Sequence, residues 1–229
     1  RSLKVGQAGT LDPVATGVLL VCIGRATKLA EELQKHDKEY VAGVTFGATT
    51  PSYDLEKEID RFFPYEHINA AAVEAALPAF LGEQDQIAPL FSAKSVDGVR
   101  AYELARKLYK STSSTSYDAD LGSDSEIDAA AKELIRVSRI NIMELELLSY
   151  QEGVVSGGEN NPSHFVDPSL CGQGGSTVCT TDRSTEDENV SKASSRINVT
   201  DNSSLGLPRA EIRMACSKGT YVRAFARDL

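Results

Sequence analysis

The chain has 229 residues, enough for one large domain or two small ones and for a substantial buried core. Its hydrophobic content of 41% is ordinary, and no apolar run approaches the roughly 20 residues that cross a bilayer, so the composition excludes a membrane-spanning protein. The net charge of −9 comes from two Ser- and Asp-rich segments, residues 111–130 (net −5) and 151–209 (net −4), and the neutral remainder leaves a nucleic-acid partner possible.

The hydrophobic pattern alternates between strand and helix signals, which predicts a mixed α and β domain. A short buried strand is expected at 19–23, and the helix expected at 69–81 should be interrupted or end near Pro78. The Asp97-Gly98 pair predicts a tight turn. The other predicted strands cover 40–46, 135–148 and 210–216, and the other predicted helices cover 26–34, 100–108 and 221–229.

The two acidic segments, 111–130 and 151–209, show no periodicity and bury little apolar surface, so both are predicted to be disordered surface insertions. The four cysteines form no Cys-x-x-Cys pair, which argues against a zinc site. Cys22 and Cys216 lie in apolar runs and should be buried thiols in a reducing, intracellular compartment. We therefore expect no metal centre.

One carboxylate, Asp12, stands in a turn with glycines on both sides, in the run Gly-Thr-Leu-Asp-Pro-Val-Ala-Thr-Gly at 9–17. Local sequence rules favour a plain helix start here, with Asp12 as the N-cap and Pro13 as the first helical residue. The wider context favours a functional role for the carboxylate. Residues 4–13 and 24–28 together resemble the catalytic motif of the TruB pseudouridine synthases.

The resemblance continues along the chain and covers nearly all of 1–110, 132–150 and 209–229. Its further motifs occur in the family's order: Lys-Glu-Tyr at 38–40, Pro-Leu-Phe-Ser-Ala-Lys at 89–94, Gly-Val-Arg-Ala-Tyr at 98–102 and Cys-Ser-Lys-Gly-Thr-Tyr-Val-Arg at 216–223. The resemblance implies the pseudouridine synthase fold, an α+β domain whose mixed, largely antiparallel central sheet carries helices and an active-site cleft.

The implied reaction is the isomerisation of the T-loop uridine of tRNA to pseudouridine, by base flipping and without a metal or an organic cofactor. Asp12 matches the family's nucleophile, and Arg223 matches the arginine that pairs with it. Without the resemblance, Arg223 would be interpreted as a surface arginine. Tyr40 matches the tyrosine that stacks on the target base and transfers a proton. Without the resemblance, Tyr40 would be interpreted as a core tyrosine on an amphipathic strand.

Four further residues are candidates for RNA binding. Tyr221 lies in the matched run, with packing beneath Arg223 as the alternative. Lys38 and Lys218 are candidate phosphate contacts, with solvated lysines as the alternative. Gln7 occupies the place where the family usually has an RNA-contacting histidine. The implied partner is the T-arm of tRNA, bound by a monomer, and no membrane partner is expected.

By comparison with the family pattern, we expect residues 1–229 to be a single catalytic domain that is incomplete at both ends. The alternative function from a different class is a non-catalytic RNA-binding or RNA-folding module of the same fold. A related synthase of a guide-RNA particle is disfavoured by the run at 15–19. The location is expected to be cytoplasmic, or organellar if the source is eukaryotic, because insertions of this composition are more typical of eukaryotic proteins.

Overall fold

The computed structural model describes residues 3–96, 98–112, 126–153 and 199–229, which belong to one compact unit. A four-stranded sheet lies at its centre, and every strand pair in it is antiparallel. The sheet order is β3, β10, β9, β6. Three two-stranded pairs accompany it: β1 with β2, β4 with β5, and β7 with β8. The strands are β1 (Val5–Gln7), β2 (Val21–Ile23), β3 (Lys38–Thr45), β4 (Ala48–Thr49), β5 (Arg61–Phe62), β6 (Gly82–Gln86), β7 (Ser95–Val96), β8 (Val99–Arg100), β9 (Ser138–Gln151) and β10 (Arg209–Cys216).

The helices are short and begin where the local sequence favours a start. Asn69 precedes α2 and its side chain accepts a hydrogen bond from the Ala72 amide at 2.9 Å, an N-cap. Pro78 then falls in a 3-10 turn, Leu77–Phe80, that ends this helical stretch. The α-helices are α1 (Ala30–Leu33), α2 (Ala70–Ala76), α3 (Ala101–Thr112), α4 (Glu126–Leu134) and α5 (Val222–Asp228); further 3-10 turns cover Gly24–Leu29 and Ser203–Leu205.

The main core lies between one face of the central sheet and helices α2 and α5. Alternate residues of β10 supply its floor, since Ala210, Ile212, Met214 and Cys216 are all essentially inaccessible to solvent. Phe225 of α5 packs on this floor with its ring edge against Phe80. A second core joins the segment 88–91 to α3 and α4, with Ala88, Leu90, Phe91, Ala101, Ala105, Ala131 and Ile135 as its buried members. The first core contacts α5 through Phe225, and the second contacts Tyr221, the residue just before this helix.

The prediction of a mixed α+β fold with a largely antiparallel central sheet is confirmed. The predicted strands at 40–46 and 210–216 and the helices at 69–81 and 221–229 are present with small boundary shifts. The segment 26–34 is helical, although its first part is a 3-10 turn. Cys22 and Cys216 are buried free thiols, as expected; Cys171 and Cys179 lie outside the described residues.

The prediction of a buried strand at 19–23 is wrong in its burial and partly in its length. The strand covers Val21–Ile23, and only Cys22 is buried, while Val21 and Ile23 are more than half exposed. The reason is its setting: β2 forms a two-stranded pair with β1 outside the central sheet, and only the side of the strand that carries Cys22 is covered. The expected helix start at Asp12 is also wrong, because Asp12 and Pro13 lie in a turn closed by the Ala15 amide on the Asp12 carbonyl.

The boundaries of the acidic segments also need correction. Residues 111–112 end α3, residues 126–130 begin α4, and Gln151 ends β9. Residues 203–205 form a 3-10 turn and Pro208 is fully buried, so the end of the second segment is ordered too. Ile135, predicted to start a strand, instead packs in the second core. The segments 113–125 and 154–198, which are predicted to be disordered, lie outside the described residues. Asp97 of the predicted tight turn also lies outside them, but Val96 and Val99 on either side of that turn are paired.

Candidate active site

The site centres on an ion pair between Asp12, in the loop between β1 and β2, and Arg223, in the first turn of α5. The Arg223 guanidinium donates two hydrogen bonds to the carboxylate, from Nε to Oδ2 at 2.7 Å and from Nη2 to Oδ1 at 3.2 Å. A bidentate contact of this kind fixes the orientation of both groups. The sequence prediction that Arg223 pairs with Asp12 agrees with this geometry.

The side chains of Asp12 and Arg223 differ in their exposure to solvent. The Asp12 side chain is 46% exposed, whereas the Arg223 side chain is only 13% exposed. The arginine is therefore held by the protein while the carboxylate faces outward. Gly9 and Gly17, which flank the Asp12 turn, have φ of 126° and 146°, and side-chain-bearing residues rarely adopt these angles. The two glycines thus allow the chain to present Asp12 on a tight loop.

A second carboxylate, Asp54, lies beneath the guanidinium, and the sequence analysis did not identify it as a site residue. Its Oδ2 is 3.5 Å from Arg223 Nη1, and its side chain is only 8% exposed. The same Nη1 donates to the carbonyl oxygen of Ser52 at 3.0 Å. Arg223 therefore bridges an exposed carboxylate and a buried one.

The loop that carries Asp54 is held by its own side chains. The Ser52 hydroxyl donates to Asp54 Oδ1 at 2.6 Å, and the Glu56 amide donates to the same oxygen at 2.9 Å. The Thr50 hydroxyl donates to the Asp54 carbonyl at 2.8 Å. These hydrogen bonds hold the buried carboxylate in place independently of its contact with Arg223. The Ser/Thr/Asp content of 49–54 is a turn signal, but it does not reveal which distant residue the loop faces.

Two tyrosines complete the surroundings of the pair. Tyr40 of β3 is half-buried against the main core, and burial raises the pKa of its hydroxyl, with smaller contributions from Cys216 and from the Asp12 charge. Tyr221 packs on the second core, and burial raises the pKa of its hydroxyl as well; the Arg223 charge lowers it and the Asp12 charge raises it. Both hydroxyls are therefore protonated at neutral pH and lie within the field of Asp12.

The start of α5 is anchored from the central sheet by Gln86, which the sequence analysis also missed. Its side-chain oxygen accepts from the Tyr221 amide at 2.8 Å and its side-chain nitrogen donates to the Tyr221 carbonyl at 3.2 Å. Gln86 is the last residue of β6 and is buried. A buried amide that satisfies both backbone groups of Tyr221 sets the position from which Arg223 projects, two residues later.

The remaining predicted residues, Lys38, Gln7 and Lys218, lie at strand ends and in a turn. Lys38 is the first residue of β3, and its ammonium donates to the carbonyl oxygens of Gln34 at 2.9 Å and His36 at 2.7 Å, which leaves one further donor. Gln7 ends β1, and its carbonyl oxygen accepts from the Gln34 side chain. Lys218 is exposed in the turn before α5. Among the residues that the structure describes, there is no cluster of His, Cys, Asp or Glu able to hold a metal ion.

Comparison with known proteins places this arrangement in a family. The sequence profile of the family described as "TruB family pseudouridylate synthase (N terminal domain)" matches residues 1–118. The chain therefore belongs to the TruB family of pseudouridylate synthases.

Curated relatives carry the name tRNA pseudouridine synthase B. That of Phocaeicola vulgatus is 40% identical over 229 residues, which is 100% of this chain and 65% of the relative. That of Thermus thermophilus is 34% identical over 227 residues, 99% of this chain and 58% of the relative. That of Flavobacterium johnsoniae is 57% identical over 106 residues, 46% of each. The chain thus spans about two thirds or less of the length of these relatives.

Proposed function

We propose that this chain isomerises the T-loop uridine of tRNA to pseudouridine, with Asp12 as the nucleophile. The observation that carries the proposal is the bidentate Asp12–Arg223 pair, in which a fixed, largely buried cation orients a half-exposed carboxylate. The relatives' shared name, tRNA pseudouridine synthase B, supports the same reaction and substrate. The reaction breaks the N1–C1′ bond of uridine and forms the C5–C1′ bond, while C5 loses a proton and N1 gains one.

Each group near the pair has a role in this chemistry. Arg223 holds the Asp12 carboxylate in place, facing outward, through two hydrogen bonds. Tyr40 offers a ring face to the flipped base, and its protonated hydroxyl is suited to proton transfer. Tyr221, which packs on the second core, is proposed to contact the RNA. No step requires a metal or an organic cofactor.

Recognition of the RNA is proposed to use shape and phosphate contacts. A stacked uridine cannot reach Asp12, so the base must leave the T loop at a cost of about a few kcal/mol. The remaining donor of Lys38, the exposed Lys218 and the side chain of Gln7 are proposed to contact the T-arm. The protein would act as a monomer in the compartment that holds its tRNA, inside the cell. The described part of the chain contains no helix long and apolar enough to cross a membrane.

The experiment that tests the proposal is tritium release from an unmodified tRNA transcript that carries tritium at C5 of its uridines. We expect release by the unsubstituted chain and none by Asp12→Asn, which keeps the shape of the side chain but removes its charge. Asp85→Asn is the matched control, because Asp85 is exposed on β6 and pairs with Arg139 instead.

RNA binding is measured in parallel at one fixed salt concentration, because phosphate contacts depend steeply on salt. If the unsubstituted chain and Asp12→Asn bind the transcript equally and neither releases tritium, the chain is an RNA-binding module and the proposal is wrong. Release by Asp12→Asn at the normal rate would remove Asp12 from the role of nucleophile.

A further inference from the structure

Helix α5 carries a second arginine, Arg227, one turn beyond Arg223. Arg227 lies beside the loop that carries Tyr53 and Asp54. Residues four apart lie on the same helix face, so Arg223 and Arg227 project in the same direction. Two like charges at this spacing repel unless each finds its own partner. Arg223 finds the two aspartates, whereas Arg227 pairs with its neighbour Asp228 at 2.6 Å.

The Arg227 guanidinium also contacts two segments outside α5, the Tyr53 loop and the residue after β6. Its carbon lies 5.6 Å from the centre of the Tyr53 ring, within cation–π range. One of its nitrogens donates to the Ile87 carbonyl at 3.2 Å, on the segment between β6 and the second core. The Arg227 side chain is 19% exposed, so these contacts are largely shielded from water.

Tyr53 occupies an unusual position in the loop. Among the described residues it is the one non-glycine residue with a positive φ, at 55°. It stands between Ser52, whose carbonyl accepts from Arg223, and Asp54, whose carboxylate pairs with Arg223. The left-handed turn at Tyr53 brings both of these acceptors to the same nitrogen, Nη1. A residue other than glycine holds this conformation only where its surroundings impose it.

We propose that Arg227 and Tyr53 form a clamp that positions the Arg223–Asp12 pair for the reaction. The Arg227 guanidinium holds the Tyr53 ring, the ring holds the left-handed turn, and the turn directs the Ser52 carbonyl and the Asp54 carboxylate at Arg223. Neither clamp residue touches the reacting atoms, so both are positioning residues. This inference rests on the proposed function, because it assigns a role in the same reaction.

The test compares Arg227→Met and Tyr53→Leu with the unsubstituted chain. Arg227→Met removes the charge but keeps a long flexible side chain, and Tyr53→Leu removes the ring. We expect the rate of pseudouridine formation at saturating tRNA to fall about three- to tenfold in each, the size of one cation–π contact. The affinity for tRNA should stay unchanged, and the melting temperature should fall by no more than about a few degrees. Tyr53→Phe, which keeps the ring, should restore the rate. Arg139→Met is the matched control, because Arg139 is an exposed arginine on β9 that pairs with Glu83 and Asp85 instead.

A second measurement reads the clamp without catalysis. In ¹⁵N-labelled protein, the Nε–H of Arg223 should give a slowly exchanging NMR signal because it donates to Asp12; Arg223→Lys identifies this signal by its loss. We expect faster exchange in Arg227→Met and Tyr53→Leu, but not in Arg139→Met.

Three results would overturn the clamp: unchanged rates in both variants, rates that fall only in step with melting temperature or tRNA affinity, or an unchanged Arg223 signal. If the unsubstituted chain forms no pseudouridine, the proposed function fails instead, and the exchange of the Arg223 signal alone decides the clamp.

Discussion

Arg223 is shared between two carboxylates that differ sharply in exposure, and this division governs what each residue can do. Asp12 reaches solvent and can meet a substrate, while Asp54 is buried and can only act through the arginine. A guanidinium that is largely removed from water needs a buried counter-charge, because an unpaired buried charge is costly. Asp54 supplies that counter-charge and leaves Asp12 free to react.

Replacing Asp54 with asparagine tests this division of labour. Asp54→Asn keeps the hydrogen-bond acceptor for Ser52 but removes the negative charge that holds Arg223 from below. We expect the rate of pseudouridine formation at saturating tRNA to fall by about tenfold or more, which corresponds to ~1.4 kcal/mol of activation free energy. The measurement is single-turnover tritium release.

The exposed Asp85 gives the matched control, and Asp85→Asn should react at the normal rate. A normal rate in Asp54→Asn would show that the Ser52 carbonyl and Asp12 are sufficient to hold the arginine.

At the scale of secondary structure, the short helices depend on their ends. Helix α2 spans Ala70–Ala76 and packs Val73 into the main core, yet it has only two turns in which to form internal hydrogen bonds. Its first amides are satisfied in part by the Asn69 side chain. The helix that supports the sheet beneath the site is therefore sensitive to its cap.

Removal of this cap should destabilise the fold without altering the site. We expect Asn69→Ala to lower the free energy of unfolding by about 1 kcal/mol, because the Ala72 amide loses its acceptor. Urea denaturation followed by circular dichroism measures the change. Asn69→Ser, which retains a capping oxygen, should stay close to the unsubstituted stability. Equal stability in all three proteins would show that the cap contributes nothing in this context.

On the scale of the whole molecule, charge is distributed unevenly over the central sheet. The face opposite the main core carries Arg213 in ion pairs with Glu39, Glu144 and Glu146. The hydrogen bond and charge of Glu39 raise the pKa of Arg213, so the arginine stays charged and is neutralised by its neighbours. Carboxylates outnumber the arginine around Arg213, so this part of the face is acidic and disfavours phosphate contacts.

The buried hydroxyl and thiol groups predict a loss of stability at alkaline pH. Burial raises the pKa of Tyr40, Tyr221 and Cys216 in the folded chain. Above about pH 9–10 these groups ionise in the unfolded chain while they remain protonated in the folded one. The folded state then binds more protons, so the free energy of unfolding falls as the pH rises. Lys94 has the opposite effect. Burial lowers its pKa in the folded chain, so its own contribution to the free energy of unfolding rises with pH.

Urea unfolding at pH 8 and at pH 10.5 measures this dependence. The double variant Tyr40→Phe, Tyr221→Phe should show a smaller loss between the two pH values, because neither phenylalanine can ionise. Stability that is constant or rises with pH in the unsubstituted chain would contradict the prediction.

The sequence by itself determined the fold class, the family and the two residues of the Asp12–Arg223 ion pair. Asp12 and Arg223 each lie in a motif that is recognisable locally, and the apolar and β-branched content of 40–46 and 210–216 predicts strands. Tyr40 was found by the same resemblance. These features are local in the chain, so a single window of residues contains them.

Only the tertiary structure decided which residues support that pair. Asp54, Gln86 and the Tyr53–Arg227 contact join segments far apart in sequence, and no periodicity marks a polar residue that faces a distant partner. The polar strand β6 was missed for a similar reason, since Gly-Glu-Gln-Asp-Gln has no apolar alternation and is a strand only because it pairs with β9. Long-range pairing, rather than local preference, fixes the position of the buried groups that hold the active site.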